Sequence, residues 1–160
     1  MRIAFAIIGL ALMTVSPSAE AQTPMEYGPN ITLEQAKTVM AAAEAEAKKN
    51  NWPSAIAIVD TGGRVVMLHK MDHTQIGSII VAQQKAETAV SFKRPSKVFE
   101  DAVGQGGMNM RILGMSNIMP LDGGLLLMGD GKIIGAIGSS GVQSQQDAQV
   151  AQAGVSALTR

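Results

Sequence analysis

Imidazole is scarce in this chain: its two histidines are His69 and His73, four residues apart with Lys70, Met71 and Asp72 between them. Imidazole is the commonest side-chain ligand for transition metals, and a neighbouring thioether and carboxylate can complete a coordination sphere. On a helix this spacing would stack both rings on one face. Here it falls at the end of a strand-like run, where residues four apart lie about 13 Å from one another. The rings meet only if the chain turns at Met71-Asp72; the alternative is two surface histidines at a strand end and loop.

Cations are the second chemical resource. Lys85, Lys93 and Arg94, with Arg64 and Arg111, are groups able to pair with a ligand carboxylate. The SFKRPS segment is the strongest of these candidates, because Pro95 fixes the turn that presents Lys93 and Arg94. A solvated basic patch at a helix C-terminus, where positive charge is favourable anyway, is the competing explanation. Gly138-Ser139-Ser140-Gly141 lies where a strand meets a helix N-terminus, so Ser139 and Ser140 are candidates for contact with an anionic group. Gly123-Gly124 reads as a structural turn. Met108, Met110, Met115 and Met119 would suit Cu(I), but no Met-x-x-Met repeat or neighbouring histidine accompanies them, and packing or a subunit interface is the better reading. Asp60, Asp72, Glu87, Glu100 and Asp122 form no recognisable acid–base constellation. Without cysteine, disulfides, thiolate metal sites and cysteine nucleophiles are excluded, and no serine-hydrolase signature is present.

The elements that must position these groups are legible from spacing. Thr32-Leu-Glu-Gln35 has the form of a capping box, and Leu33, Ala36, Met40, Ala43 and Ala47 follow at helical intervals to about Asn50. Residues 55–60 (AIAIVD) and 64–71 (RVVMLHKM) flank Thr61-Gly62-Gly63, which predicts a hairpin. From about Gln75 to Lys93 the pattern is helical, with Ile76, Ile79, Ile80, Gln83, Ala86 and Val90 along one side; Pro95 marks the break. Short helices are expected over 96–103 and 108–115. A second hairpin, 125–128 with 132–139, turns at Gly129-Asp130-Gly131, and a closing helix spans 144–158 with Ser144 as its cap. Its buried side is expected to carry Val150, Ala153, Ala157 and Leu158; Gly154 within it disfavours the helix unless it marks a close packing contact. Helices packed on antiparallel pairs give the class α+β.

Residues 1–21 have the order of a cleavable export signal: Arg2, an apolar run over 3–15, then Ala19-Glu20-Ala21 before Gln22. That run is shorter than the roughly 20 residues needed to span a bilayer. A periplasmic or secreted domain without stable membrane insertion follows, with 22–30 as a flexible leader and 31–160 as a single domain. Thirteen basic and thirteen acidic residues give a formal net charge of zero, so no long-range field collects nucleic acid or an anionic membrane surface.

The runs TLEQAKTVMAAAEAEAKKN, AIAIVDTGGRVVMLHKMD, AQQKAETAVSFKRPS, MPLDGGLLLMGDGKIIGAIGSSG and QDAQVAQAGVSAL, in that order over about 31–158, resemble the GlcG/HbpS-like (haem-degrading domain) family. The resemblance implies a profilin-like antiparallel sheet flanked by helices, homo-oligomers, and binding of haem or a related tetrapyrrole, in some members with oxidative breakdown of it. Other members resemble parts of glycolate or corrinoid pathways. On this expectation His73 or His69 is the iron ligand, and Lys93 and Arg94 hold the propionates. With Tyr27, Trp52, Phe92 and Phe99 as the aromatics beyond the signal, the seat is expected to be shallow or intersubunit and lined by Met, Leu and Ile. Two alternatives stand beside it: an enzyme or accessory protein for a small organic acid, and a metal-binding or structural assembly module.

Overall fold

The structure is a computed structural model that describes residues 25–158; the expected signal, 1–21, lies outside the described residues. The elements are α1 (Leu33–Lys49), β1 (Ala55–Val59), β2 (Val65–Lys70), α2 (Ser78–Phe92), α3 (Lys97–Gly104), a 3-10 segment (Gly107–Gly114), β3 (Gly124–Gly129), β4 (Lys132–Ser140) and α4 (Ser144–Leu158). The four strands form one antiparallel sheet in the order β2-β1-β4-β3. Helices α1 and α4 cover one face and α2 the other, which is the expected α+β architecture.

Strand β1 is buried along its whole length because both faces are covered. Ile56 and Ile58 join Val39, Met40, Ile137 and Val150 in the core beneath α1 and α4. Ala55, Ala57 and Val59 face α2, where they meet Ala82, Ala86, Ala89 and Val90. The capping box is complete: the Gln35 N–H donates to Thr32 Oγ1 at 3.2 Å and the Thr32 N–H to Gln35 Oε1 at 2.9 Å. Gly154 is a close contact, since a Cβ there would lie 3.0 Å from the Val39 carbonyl oxygen.

Several expectations change. Ile76 and Ile80, placed on the buried side of α2, are 87% and 63% exposed. Ala86 and Val90 are buried as expected and Ile79 is half-buried against the core, and the buried side also carries Ser78, Ala82, Lys85, Thr88 and Ala89. The cause is distance: the backbone of α2 approaches the sheet closely at Gly124 and Gly138, small residues fill most of that contact, and Ile76 and Ile80 turn outward. The helix starts at Ser78 rather than Gln75, and the 108–115 helix is a 3-10 segment. In α4 the buried residues are Asp147, Val150, Ala151 and Gly154, while Ala153, Ala157 and Leu158 are half-buried. Ser144 opens that helix; the Gln143 carbonyl accepts from the Asp147 N–H, and the Gln143 N–H donates to Gln146 Oε1 at 3.1 Å, which places Gln143 at the cap. Met108, Met110 and Met115 are exposed rather than packed within the subunit.

The leader is bonded to the sheet rather than loose where the structure describes it. Beyond Val59, where β1 leaves β4, the Ile133 N–H donates to the Glu26 carbonyl and the Gly28 N–H to the Ile133 carbonyl, each at 2.8 Å. Tyr27 Oη donates to the Val90 carbonyl at 2.7 Å, and Lys132 pairs with Glu26 at 3.2 Å.

Candidate functional site

The histidines lie at the end of the sheet where β1 begins and β2 ends. Helix α1 stops at Asn50, and the next residue, Asn51, adopts a left-handed φ of 56°. Trp52 and Pro53 then lead into β1, and the Met71 N–H donates to the Ser54 carbonyl at 3.0 Å, drawing the end of β2 against them. Together Ala47, Lys48, Trp52, Pro53, Met71 and His73 line most of an open cleft of about 450 Å³. His73 sits on its rim with a positive φ of 63° and an exposed side chain.

His69 is held differently. In strand β2 it pairs with Ile56, and its Nδ1 lies 2.8 Å from Glu44 Oε1 on α1. Its side chain is 43% exposed. Glu44 also faces Lys48 Nζ at 3.4 Å. Burial alone would raise the Glu44 pKa, but the hydrogen bond with His69 and the Lys48 ammonium outweigh it and the carboxyl is held below its ordinary range. Among the described residues, no three of histidine, aspartate and glutamate converge to hold a metal ion. The chain does turn after Lys70, but His69 faces α1 while His73 faces the cleft.

Lys93 and Arg94 lie at the other end of α2, whose fifteen residues extend about 22 Å. Lys93 caps the helix with a φ of 53°; its Nζ donates to the Met25 carbonyl at 2.7 Å and lies 4.4 Å from the centre of the Tyr27 ring. The leader therefore occupies the cation expected to hold a ligand carboxylate. Arg94 is exposed, with Nε donating to the Phe92 carbonyl at 3.0 Å and its guanidinium 6.0 Å from the Phe99 ring centre. One chain thus cannot offer both its histidines and its Lys93-Arg94 pair to the same tetrapyrrole.

Ser139 and Ser140 lie at the histidine end but inside it, 0% and 5% exposed. Ser139 and His69 flank Ile56 in one row across the sheet. The anion expected at this strand–helix junction is the chain's own: Asp147 Oδ1 accepts from the Val142 N–H at 3.3 Å. Its Oδ2 accepts from Lys85 Nζ at 2.8 Å, and the Ser139 carbonyl accepts from the same ammonium at 2.9 Å. Lys85, read as a ligand-pairing cation, is therefore a buried structural one. Gly123, at φ 117°, lets these groups approach; a Cβ there would stand 2.9 Å from the Ser139 carbonyl oxygen and 3.2 Å from Lys85 Nζ. Burial pushes the Asp147 carboxyl above its ordinary range despite the ammonium beside it.

Among the other carboxylates, Asp60 Oδ1 accepts from the Gly62 and Arg64 N–H groups and shapes the first hairpin turn. Glu87 accepts from Gln83. Glu100 accepts from the Asp122 backbone N–H, and Asp122 is raised by burial, with Glu100 reinforcing the shift and the Gly123 N–H opposing it. Glu44 and Asp147, which matter most to the geometry, had no local motif; each is recognised by a partner 25 or 62 residues away.

Residues 31–156 match the family described as "Haem degrading protein HbpS-like". Protein GlcG of Escherichia coli (strain K12) is 36% identical over 110 residues, covering 69% of this chain and 81% of GlcG. The crystal structure of Klebsiella pneumoniae protein ORFY superposes with a TM-score of 0.77 at 27% identity, covering 90% of this chain and 98% of that one. A PduOC–haem complex superposes with a TM-score of 0.73, also at 27% identity, covering 80% of this chain and 94% of that one. With its sheet, its flanking helices and nearly all of its described length accounted for by these matches, the chain belongs to the HbpS-like family of haem-degrading proteins.

Proposed function

We propose that this protein binds haem or a related tetrapyrrole, as a homo-oligomer outside the cytoplasm. The observation that carries the reading is the cleft at the histidine end, which combines an apolar wall from Trp52, Pro53 and Ala47 with a thioether, an imidazole and the Lys48 ammonium. That donor set fits the group: a flat apolar face, a nitrogen ligand for iron and a cation for a propionate. The haem bound to PduOC supports the ligand class. The cleft is open, which suits a shallow seat completed by a second subunit; Arg94, beyond the far end of α2, would then have to be supplied by that second subunit. Haem, once bound, supplies the redox-active iron through which slow peroxide-dependent breakdown would run. The protein's part is to seat the ring, supply the imidazole and shield one face.

Titration of the mature protein with haem is expected to give a saturable Soret shift at one haem or fewer per subunit. His69→Ala combined with His73→Ala should remove the nitrogen-ligated spectrum, and Arg94→Ala should weaken binding. A featureless change identical in all three proteins would eliminate the haem reading and point to a small carboxylate at the exposed Arg94.

Self-association is supported by the outward Ile76, just before α2, and Ile80, in its first turn, and by the exposed Met108 and Met110 of the 3-10 segment. Export is supported by the Arg2, apolar-run and Ala19-Glu20-Ala21 order. Native mass spectrometry of protein recovered from the cell envelope reads both: a multimer whose subunits begin at Gln22, converted to monomer by Ile76→Glu with Ile80→Glu. A monomer retaining Met1 would contradict both.

A further inference from the structure

We propose that Asp72 is a specificity-determining residue of the cleft, which with Lys48 makes it select tetrapyrroles whose carboxylates are confined to one edge of the ring; this rests on the haem reading above. The cleft lining carries one ammonium and one carboxylate, and they come from different elements. Lys48 belongs to the last turn of α1, and Asp72 to the turn that follows β2. The Lys48 ammonium lies 3.4 Å from Glu44 Oε2 with its side chain 66% exposed, so it can swing to a ligand carboxylate. Asp72 is exposed and has no ion-pair partner among the described residues, so its charge is left to act on a ligand in the cleft. The Thr74 N–H donates to the Met71 carbonyl at 3.3 Å, and Thr74 is buried. That bond fixes the turn 71–74 with Asp72 and His73 as its two central residues, so the carboxylate stays beside the imidazole.

This placement of charge orients the ring. A propionate is drawn to the α1 wall and repelled from the wall that bears Asp72 beside the His73 imidazole. Haem carries both its propionates on one edge, so that edge can lie toward Lys48 while a carboxylate-free edge meets Asp72. A ring with propionates on every side cannot avoid Asp72 in any orientation that brings its iron to His73. The cleft is open to solvent, so the repulsion is moderate and is screened by salt. Trp52 and Pro53 do not make this choice, because they meet the face of the ring whatever its edges carry.

The test titrates wild-type protein, Asp72→Asn, Asp72→Lys and Lys48→Gln, each checked for an unchanged melting transition, with two probes. One is haem, and the other is iron coproporphyrin, which bears propionates around the whole ring. Affinities are read from the Soret band at low and at high salt. Wild type should bind iron coproporphyrin at least about fivefold more weakly than haem at low salt, and salt should narrow the gap. Asp72→Asn should close most of that gap by tightening iron coproporphyrin, with haem staying within about twofold of wild type. Asp72→Lys should reverse the preference, and Lys48→Gln should weaken haem. Equal affinity of wild type for the two rings, or a gap that survives unchanged in both Asp72 variants, would overturn the inference while leaving haem binding intact. So would a Lys48→Gln protein that binds haem as tightly as wild type. Absence of any saturable haem spectrum in wild type would overturn the haem reading and this inference together.

Discussion

Replacing Gly138 by alanine is expected to cost at least about 4 kcal/mol of folding stability and to leave little folded protein. The added methyl would stand 2.0 Å from the Ala82 carbonyl oxygen and 2.7 Å from the Ala86 nitrogen, both in the backbone of α2. A clash with a side chain can be relieved by a rotamer, but here the whole helix must lift from the sheet. Lifting it separates Ala82, Ala86, Ala89 and Val90 from the strands beneath, an entire layer of the core. Overpacking ordinarily costs about 1–3 kcal/mol when the surroundings can give; these surroundings are helix backbone. Gly124, whose added Cβ would lie 2.2 Å from the Lys85 carbonyl oxygen, should behave similarly. Gly77 is the control: a Cβ there meets nothing within 4 Å, so alanine should change stability by no more than about 0.5 kcal/mol. Urea unfolding of the three variants decides the matter, and a Gly138→Ala protein as stable as Gly77→Ala would mean that α2 does not approach the sheet this closely.

The same contact explains what was and was not legible in the sequence. Helix α1, both hairpins and the span of α4 rest on local signals, namely a capping box, two glycine turns and helical spacing, and these appear where expected. In α2 the expected face is right at Ala86 and Val90 and wrong at Ile76 and Ile80, because hydrophobicity alone does not decide burial there. Ile76 and Ile80 have the hydrophobicity of core residues, whereas the face that meets Gly124 and Gly138 is carried by Ala82, Lys85 and Ala86. Lys85 falls on that face at offsets of seven from Ser78 and three from Ala82, so its burial was readable, though its partner was not. The separation of His73 from Lys93 was already implied by the helix predicted between them. The pairing of Glu44 with His69 was not, since it depends on how α1 lies across an edge strand.

Breaking the Lys85–Asp147 pair from either side is the second large effect, expected at about 3–5 kcal/mol for Lys85→Met or Asp147→Asn alone. The two side chains are 1% and 3% exposed, so whichever charge remains is stranded in the core beneath α2 and α4. Lys85→Met combined with Asp147→Asn should recover much of that loss, because the pair's attraction mainly offsets its own desolvation; a double-mutant cycle with no recovery would show the two groups to be energetically independent. The pH dependence separates this pair from the one on the surface. Asp147 has a folded pKa raised by burial, so the folded state holds its proton more tightly than the unfolded chain does. Its contribution is therefore most favourable below the unfolded carboxyl value and declines as pH rises through the folded one. Glu44 runs the other way: its depressed pKa contributes stability above the unfolded value that is lost as pH falls through the folded one. Acid unfolding of wild type should therefore weaken in Glu44→Gln, measured as the slope of unfolding free energy against pH. Asp147→Asn should instead remove a loss of stability on the rising side of the carboxylate range. The buried pair thus ties α2, β4 and α4 together at a cost in desolvation, and the histidine-bearing end of the sheet is built against that fixed point.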